Sequence, residues 1–312
     1  MKSIRKKISE ILAAYYWAAY SLHHRLFLRP GRPLKHSKLV VVGSFRTGGA
    51  GKTPFCLWLA KRLVERGKRV AILCHETAFD EIRLYRHHLE DIILQGMAEV
   101  HSTRNRYRTA RKIDSGREKN AGTGSAGLPP DFILCDDGFE DSRLRPHAVF
   151  RLDWEKAPTE IHQLWPAGKF RSLLQDHSRE QPRTTTLRCH GISPDVKFYI
   201  ESIANAEGDF PKYRQSIAVC GLGDPGRFVQ DLKSAELAVQ KTVVRPDHDR
   251  NFQKKISEIL HRHFHTNIII SEKDSFRLSR ELLGNPRTYI ARQSILVSDN
   301  ARARIFKVLS NL

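Results

Sequence analysis

Two stretches of this chain combine residue types that do chemistry together. The first is Gly48-Gly49-Ala50-Gly51-Lys52-Thr53, which follows the apolar run Leu39-Val40-Val41-Val42. Backbone N–H groups of a glycine turn and of the helix it opens can wrap phosphate oxygens. A lysine in that place neutralises the β and γ phosphates, and a threonine hydroxyl coordinates Mg²⁺. Gly48, Gly49, Ala50, Gly51, Lys52 and Thr53 therefore read as an ATP-binding P-loop, with a structural glycine turn as the alternative. Arg46 stands where the strict G-x-x-x-x-G-K-T pattern has glycine, so the match is to the G-G-x-G-K-T variety. The second stretch is Asp136-Asp137-Gly138, which ends the apolar run Phe132-Ile133-Leu134-Cys135. A strand end is the usual place for a carboxylate that positions Mg²⁺ in P-loop enzymes. Both aspartates stand as metal candidates beside Thr53. A plain Asp-Gly turn is the alternative.

Elements that position these residues are readable around them. Lys38–Gly43 predicts a buried parallel strand. Phe55, Leu57, Trp58, Leu59, Leu63 and Val64 predict a helix over 54–66, which Gly67 stops, and 69–73 predicts a second strand. A strand–loop–helix–strand order opens an α/β domain. The Gly/Ser-rich stretch 114–130 reads as a surface loop, because a buried strand follows it directly. A second strand–turn–helix lies at 216–235, and another strand at 267–270. The division between halves is expected within 175–215. The expected order is an amphipathic helix over 1–30, a P-loop core domain over 31–190 and a smaller α/β domain over 191–312.

Lys and Arg number 53 against 34 Asp and Glu, a formal charge of +19. That excess implies an anionic partner, whether nucleic acid, acidic membrane or phosphorylated substrate. Five cysteines without a C-x-x-C pair fit reduced core residues. No apolar run reaches the 18 or so residues of a membrane span. Residues 3–28 instead predict a helix with cations at both ends and aromatics between, suited to a membrane surface or to packing on its own domain. His261, His263 and His265 read as a solvated helix end rather than a metal site, and the basic run 104–112 as a solvated helix face ahead of a lipid or RNA contact.

Several collinear motifs resemble the tetraacyldisaccharide 4′-kinases of lipid A synthesis. That family's V-G-N-x-x-x-G-G-T-G-K-T-P is similar to Val42-Gly43-Ser44 through Gly48–Pro54, and its D-D-G-F-Q to Asp136–Phe139, with Glu140 in place of Gln. Its P-A-G-x-x-R-E is similar to Pro166–Arg171, with Ser172 in place of Glu. Its G-I-G-N-P-x-x-F resembles Gly221–Phe228, its D-H resembles Asp247-His248, and its T-E-K-D resembles Ser271–Asp274. The likeness runs over about residues 1–300.

The resemblance implies a P-loop NTPase-like α/β/α core domain, a second, smaller α/β domain and an N-terminal membrane-seating helix. It implies ATP, Mg²⁺ and phosphorylation of the 4′-hydroxyl of a lipid A precursor, a tetraacyl glucosamine disaccharide-1-phosphate. The expected setting is peripheral, on the cytoplasmic face of the bacterial inner membrane, as a monomer without nucleic acid. Asp80 and His248 match the family's base pair, Lys52 its phosphate clamp, and Arg171 a group for phosphate or transition-state charge. The family's S-R-G-Y after the second strand is absent here and the loop before Asp80-Glu81 is short, which leaves Glu76 and Glu81 as alternative acids. A P-loop ATPase switch is the enzymatic rival, although such proteins usually carry a lysine where Thr47 stands. A basic nucleic-acid-binding scaffold with an eroded nucleotide site is the other.

Overall fold

The computed structural model describes residues 2–27, 31–117, 128–177, 184–211, 215–246 and 249–312. Most of the Gly/Ser-rich stretch lies outside them. Its elements in chain order begin with α1 (Lys2–Phe27), β1 (Lys38–Gly43), α2 (Lys52–Val64), β2 (Val70–His75), α3 (Phe79–His88), α4 (Glu90–Leu94) and β3 (Ala98–Thr103). Next come α5 (Arg106–Asp114), β4 (Phe132–Asp136), β5 (Ala148–Asp153), β6 (Thr184–Arg188), β7 (Val196–Ala204), β8 (Ser216–Cys220) and α6 (Pro225–Ser234). The chain closes with β9 (Val239–Val244), α7 (Phe252–Arg262), β10 (Asn267–Ser271), α8 (Glu272–Ser275), α9 (Arg280–Leu283), β11 (Thr288–Val297) and α10 (Asp299–Ser310).

These elements form two compact units. One joins Met1–Thr77, His88–Val196 and Val297–Leu312; the other joins Ala78–His87 and Lys197–Leu296. The chain crosses from the first unit to the second at 196–197. It also makes two exchanges that a single cut at residue 190 does not contain. The C-terminal exchange has a plain physical cause. Ala301, Ile305 and Leu309 of α10 recur at one-turn spacing and are buried, while Phe306 meets the Trp58 ring at 6.2 Å and lies 3.6 Å beneath the Arg66 guanidinium.

In the first unit six strands run parallel in the order β3-β2-β4-β1-β5-β6. β2 and β4 are apolar along nearly their whole length because helices cover both faces of such a sheet. α2 packs on it through Phe55, Cys56, Leu59, Ala60 and Leu63. Truncating the fully buried Phe55 to Ala is expected to cost about 3–5 kcal/mol. Register sets Val42 opposite Asp136, so the carboxyl ends of β1 and β4 lie side by side. α1 packs Ala13, Tyr16 and Trp17 against Leu164, Phe170 and Leu173, while Ile4, Ile8, Ile11, Leu12 and Tyr15 stay exposed. α1 thus has one packed face and one exposed apolar face. Among the described residues no helix is long and apolar enough to cross a membrane.

In the second unit the strand order is β7-β11-β10-β8-β9. Alternate residues of β8 serve opposite faces, as a pleated strand requires. Ala218 and Cys220 join Phe228 and Leu232 of α6, whereas Ile217 and Val219 join Phe252, Ile256, Ile259 and Leu260 of α7.

Candidate active site

The P-loop leaves β1 through Gly43, where a Cβ would lie 2.3 Å from that of Phe139, so only glycine lets the 138–139 turn approach. Gly49 and Gly51 take φ of 68° and 78°, backbone that glycine adopts without strain. Gly51 caps α2, and its neighbour Ala50 accepts a 2.9 Å hydrogen bond from the Trp154 indole. Arg46 forms an antiparallel bridge with Phe170, an extended pairing that needs no glycine. The flanking bonds run from Thr47 N–H to Lys169 O and from Arg171 N–H to Phe45 O, at 2.9 and 2.8 Å. The P-A-G-x-x-R stretch is thereby strapped onto the ascending limb of the loop, which delivers Arg171 to the phosphate end.

Around that end the charged side chains form one cluster. Lys52 Nζ lies 3.0 Å from Asp137 Oδ1, and Arg171 Nη1 donates to Asp137 Oδ2 at 2.8 Å. The other Arg171 nitrogen, Nη2, donates to Thr47 O at 2.6 Å. Burial works against ionising Asp137, but Lys52 and Arg171 outweigh it and hold the carboxyl well below the usual carboxylate range. Asp137 itself has φ 56°, a left-handed conformation that aspartate tolerates better than most residues, and its N–H donates to Val42 O at 3.1 Å. Beside it, Glu140 Oε2 stands 3.5 Å from Arg171 Nη1. Burial pushes the Glu140 carboxyl up to about 7, with Arg171 opposing the shift and Asp137 adding to it.

Thr53 Oγ1 donates to the buried Asp136 Oδ2 at 3.2 Å. Two hard oxygens on the first turn of α2 and the end of β4 suit Mg²⁺. That ion keeps several waters and shares one or two protein oxygens with substrate phosphates. Asp136 is joined to the threonine and Asp137 to the two cations, so the adjacent aspartates have different neighbours. Arg106, at the start of α5, donates through Nη2 to Asp136 O at 3.2 Å. One member of the basic run thus points into the site, whereas Arg104 is exposed and pairs with Glu76. The run His261–His265 gathers no metal-ligand group among the described residues.

Asp80 belongs to the second unit. Its side chain is fully buried near the start of α3, hydrogen-bonded to Arg277 Nη2, with Lys273 Nζ at 3.8 Å. Lys273 also pairs with Glu81 at 3.0 Å, and Arg277 with Asp274 at 3.2 Å. Asp274 in turn accepts from Gly221 N–H at 3.0 Å and from Ser271 Oγ at 2.8 Å, which ties the S-E-K-D stretch to the glycine turn after β8. His248 lies outside the described residues. The structure thus brings Lys52, Thr53, Asp136, Asp137 and Arg171 together and sets Asp80 in a separate ionic cluster. Sequence reasoning missed Trp154, Arg106, Glu140, Lys273 and Arg277. Of these, Arg106, Glu140 and Lys273 sat inside stretches that the sequence had marked, and Trp154 and Arg277 did not.

The sequence model of the tetraacyldisaccharide-1-P 4′-kinases matches residues 6–310. Tetraacyldisaccharide 4′-kinases of Brucella canis, Brucella suis and Brucella abortus are each 27% identical to this chain over 316 aligned positions, covering 92% of it and 87% of theirs. A crystal structure of LpxK from Aquifex aeolicus, in complex with ATP, superposes with a TM-score of 0.62 at 19% identity, over 95% of this chain and 97% of that one. That likeness shows the fold: an α/β protein with a parallel six-stranded sheet flanked by helices. With a match that spans nearly every element from α1 to α10, the chain belongs to the tetraacyldisaccharide-1-P 4′-kinase family.

Proposed function

We propose that the chain transfers the γ-phosphoryl group of ATP to the 4′-hydroxyl of a tetraacyl glucosamine disaccharide-1-phosphate in lipid A synthesis. The observation that carries the donor half is the cluster of Lys52, Arg171 and Asp137 at the open end of the P-loop, beside Thr53 and Asp136. In this arrangement Asp137 occupies two cations that a triphosphate also seeks, so bound nucleotide and Asp137 share them. Lys52 and Arg171 lower the cost of charge on the transferring phosphoryl group. Thr53 and Asp136 would hold Mg²⁺, which supplies further neutralisation of the phosphate oxygens. Asp136 is the metal-side carboxylate in this reading, and Asp137 orients the cations.

A sugar hydroxyl is a weak nucleophile and requires a base at the moment of attack. Asp80 oriented by His248 is the base pair that the family pattern supports. In this reading Asp80 exchanges its contact with Arg277 for the acceptor hydroxyl, because a fully buried carboxylate reaches no substrate. The exposed apolar residues of α1, with Arg5, Lys6 and Lys7 at one end, support seating at an anionic membrane surface on the cytoplasmic side of the inner membrane. A monomer suffices for these roles.

The test is transfer of labelled γ-phosphate from Mg·ATP to a disaccharide-1-phosphate lipid in mixed micelles. Wild type should form phosphorylated lipid, and Lys52→Ala should not. Asp136→Asn should raise the Mg²⁺ concentration needed for half-maximal rate more than Asp137→Asn does. ATP hydrolysis without lipid product from wild type would overturn the proposal in favour of an ATPase switch.

A further inference from the structure

β5 ends at Asp153, and its register with β1 sets Arg151 opposite Gly43. The residues from Arg151 onward therefore run beside the P-loop that leaves Gly43, and they meet it at three points. Arg151 holds its guanidinium 4.9 Å from the centre of the Phe45 ring, with its own N–H groups fixed by Asp153 and Thr186 at 2.8 to 2.9 Å. Glu155 sits between Arg46 Nε at 3.7 Å and Lys169 Nζ at 2.7 Å. Trp154 donates its indole N–H to Ala50 O at 2.9 Å. Phe45 and Arg46 belong to the ascending limb of the loop, and Ala50 to the turn that enters α2. One strand end thus holds both limbs.

Ala50 lies between Gly49 and Gly51, both of which take positive φ. Glycine accepts either sign of φ at little cost, so a peptide that pivots on Gly51 can turn over unless something holds it. Ala50 is buried, and a buried carbonyl needs a donor. The half-buried indole is that donor. Across a trans peptide the C=O and N–H point in opposite directions, so a carbonyl held toward Trp154 turns the Gly51 N–H away from it. Backbone N–H groups in this part of a P-loop are the ones that wrap phosphate oxygens.

We infer that Trp154 is a positioning residue for nucleotide binding, which presets the Ala50–Gly51 peptide with its N–H toward the phosphate site, while Glu155 restrains the opposite limb through Arg46. The inference rests on the reading of this loop as the ATP site and not on the identity of the acceptor. Trp154 brings no charge, so it acts through shape alone: a loop already ordered loses less conformational freedom when phosphate arrives. Arg46 fits the same scheme. The strict P-loop pattern has glycine at that place, and a long cationic side chain there gives Glu155 a group to hold.

The test is Trp154→Phe, which keeps an aromatic ring and removes the donor. Calorimetric Kd for a non-hydrolysable Mg·ATP analogue should rise about fivefold, as loss of one neutral hydrogen bond implies. KM for ATP should rise with it, while KM for the lipid acceptor stays at the wild-type value. Hydrogen exchange at the Gly51 amide of the nucleotide-free protein should quicken by a similar factor, a change that general loosening of the core would not confine to this turn. Unchanged affinity would overturn the inference, and so would weaker affinity with unaltered exchange at Gly51. Should Trp154→Phe fail to fold, benzothienylalanine at position 154 decides, since it copies the indole outline and lacks the N–H; wild-type affinity in that protein would overturn the inference. Absence of analogue binding in wild type would sink the nucleotide reading itself. The preset peptide is then decided by Gly51 exchange in wild type and Trp154→Phe without nucleotide, with equal rates overturning it.

Discussion

Asp137 and Asp80 are each held by one lysine and one arginine, yet the two clusters are built for opposite ends. Asp137 keeps 29% of its side-chain surface and Arg171 keeps 27%. Asp80 keeps none and Arg277 4%. An accessible pairing of Lys52 and Arg171 with a carboxylate can be shared with phosphate, because the incoming oxygens replace those already there. A closed pairing cannot be shared without first exposing Asp80 and Arg277. The same three charges, a lysine, an arginine and an aspartate, thus suit a shared ligand where the sheet end is open and a tie where α3 and α8 close over them.

The comparison is broken most directly at Asp80. Removing one partner of a buried pair strands the other, so Asp80→Ala should lower unfolding free energy by about 3–5 kcal/mol in urea titrations. Asp80→Asn should lose a smaller part of it, since the amide keeps the shape and one acceptor. Unchanged stability in both, with turnover abolished, would assign Asp80 to chemistry alone and end its role as a tie. At the open cluster the balance reverses. Lys52→Ala should cut kcat by about 10²–10³-fold. Its unfolding free energy should move far less than that of Asp80→Ala, because water can replace the ammonium beside a carboxylate with 29% of its surface exposed. Equal destabilisation by the two substitutions would erase the distinction.

Glu140 sharpens the comparison through pH. Its carboxyl is raised from 4.5 to about 7, so its favourable contribution is full below the ordinary value and is lost as pH rises through about 7. Asp137 behaves oppositely: held low, it contributes at neutral pH and loses that contribution only in acid, as pH falls through its depressed value. The unfolding midpoint of Glu140→Gln relative to wild type should therefore climb between pH 5 and pH 8. For Asp137→Asn the deficit should be largest at neutral pH and shrink toward strong acid. Thermal melts from strong acid to pH 8 check both signs.

These contrasts also mark how far the sequence could be read. β1, β2 and β4 are continuous apolar runs, and β1 and β4 end in glycine and aspartate, so strand, buried sheet and chemistry at the carboxyl end follow from local pattern alone. Lys52, Thr53 and Asp136 were legible as candidates for that reason, as parts of short motifs at or just beyond the carboxyl ends of β1 and β4. The partner of Asp80 was not. Arg277 lies 197 residues away, and nothing in a local window says which buried acid a distant arginine will neutralise. α10 was misassigned for a similar reason: its Ala301, Ile305 and Leu309 stripe shows that it packs, while the face it packs on depends on the return of β11. Glu140 and Ser172 were visible only as two separate exceptions, because their contact exists only once the segments after β4 and β5 come together.

Exposure separates the two faces of α1 as it separates the two ionic clusters. Ala13, Tyr16 and Trp17 are packed, whereas Ile8, Ile11 and Leu12 keep 53, 57 and 51% of their surface. Replacing those three with Ser removes apolar surface that already faces solvent, so unfolding free energy should change by no more than about 0.5 kcal/mol per site. If the face seats on lipid, each lost side chain removes buried hydrocarbon worth about 0.8 kcal/mol per CH₂. Sedimentation with anionic vesicles should then show at least a tenfold loss of binding, while turnover on a short-chain, micelle-free acceptor stays at the wild-type rate. Unaltered vesicle binding would move the membrane contact elsewhere on this basic chain. A fall in stability comparable to that of a core substitution would mean that the exposed face is covered by protein, so that packing, not lipid, explains why these residues are apolar.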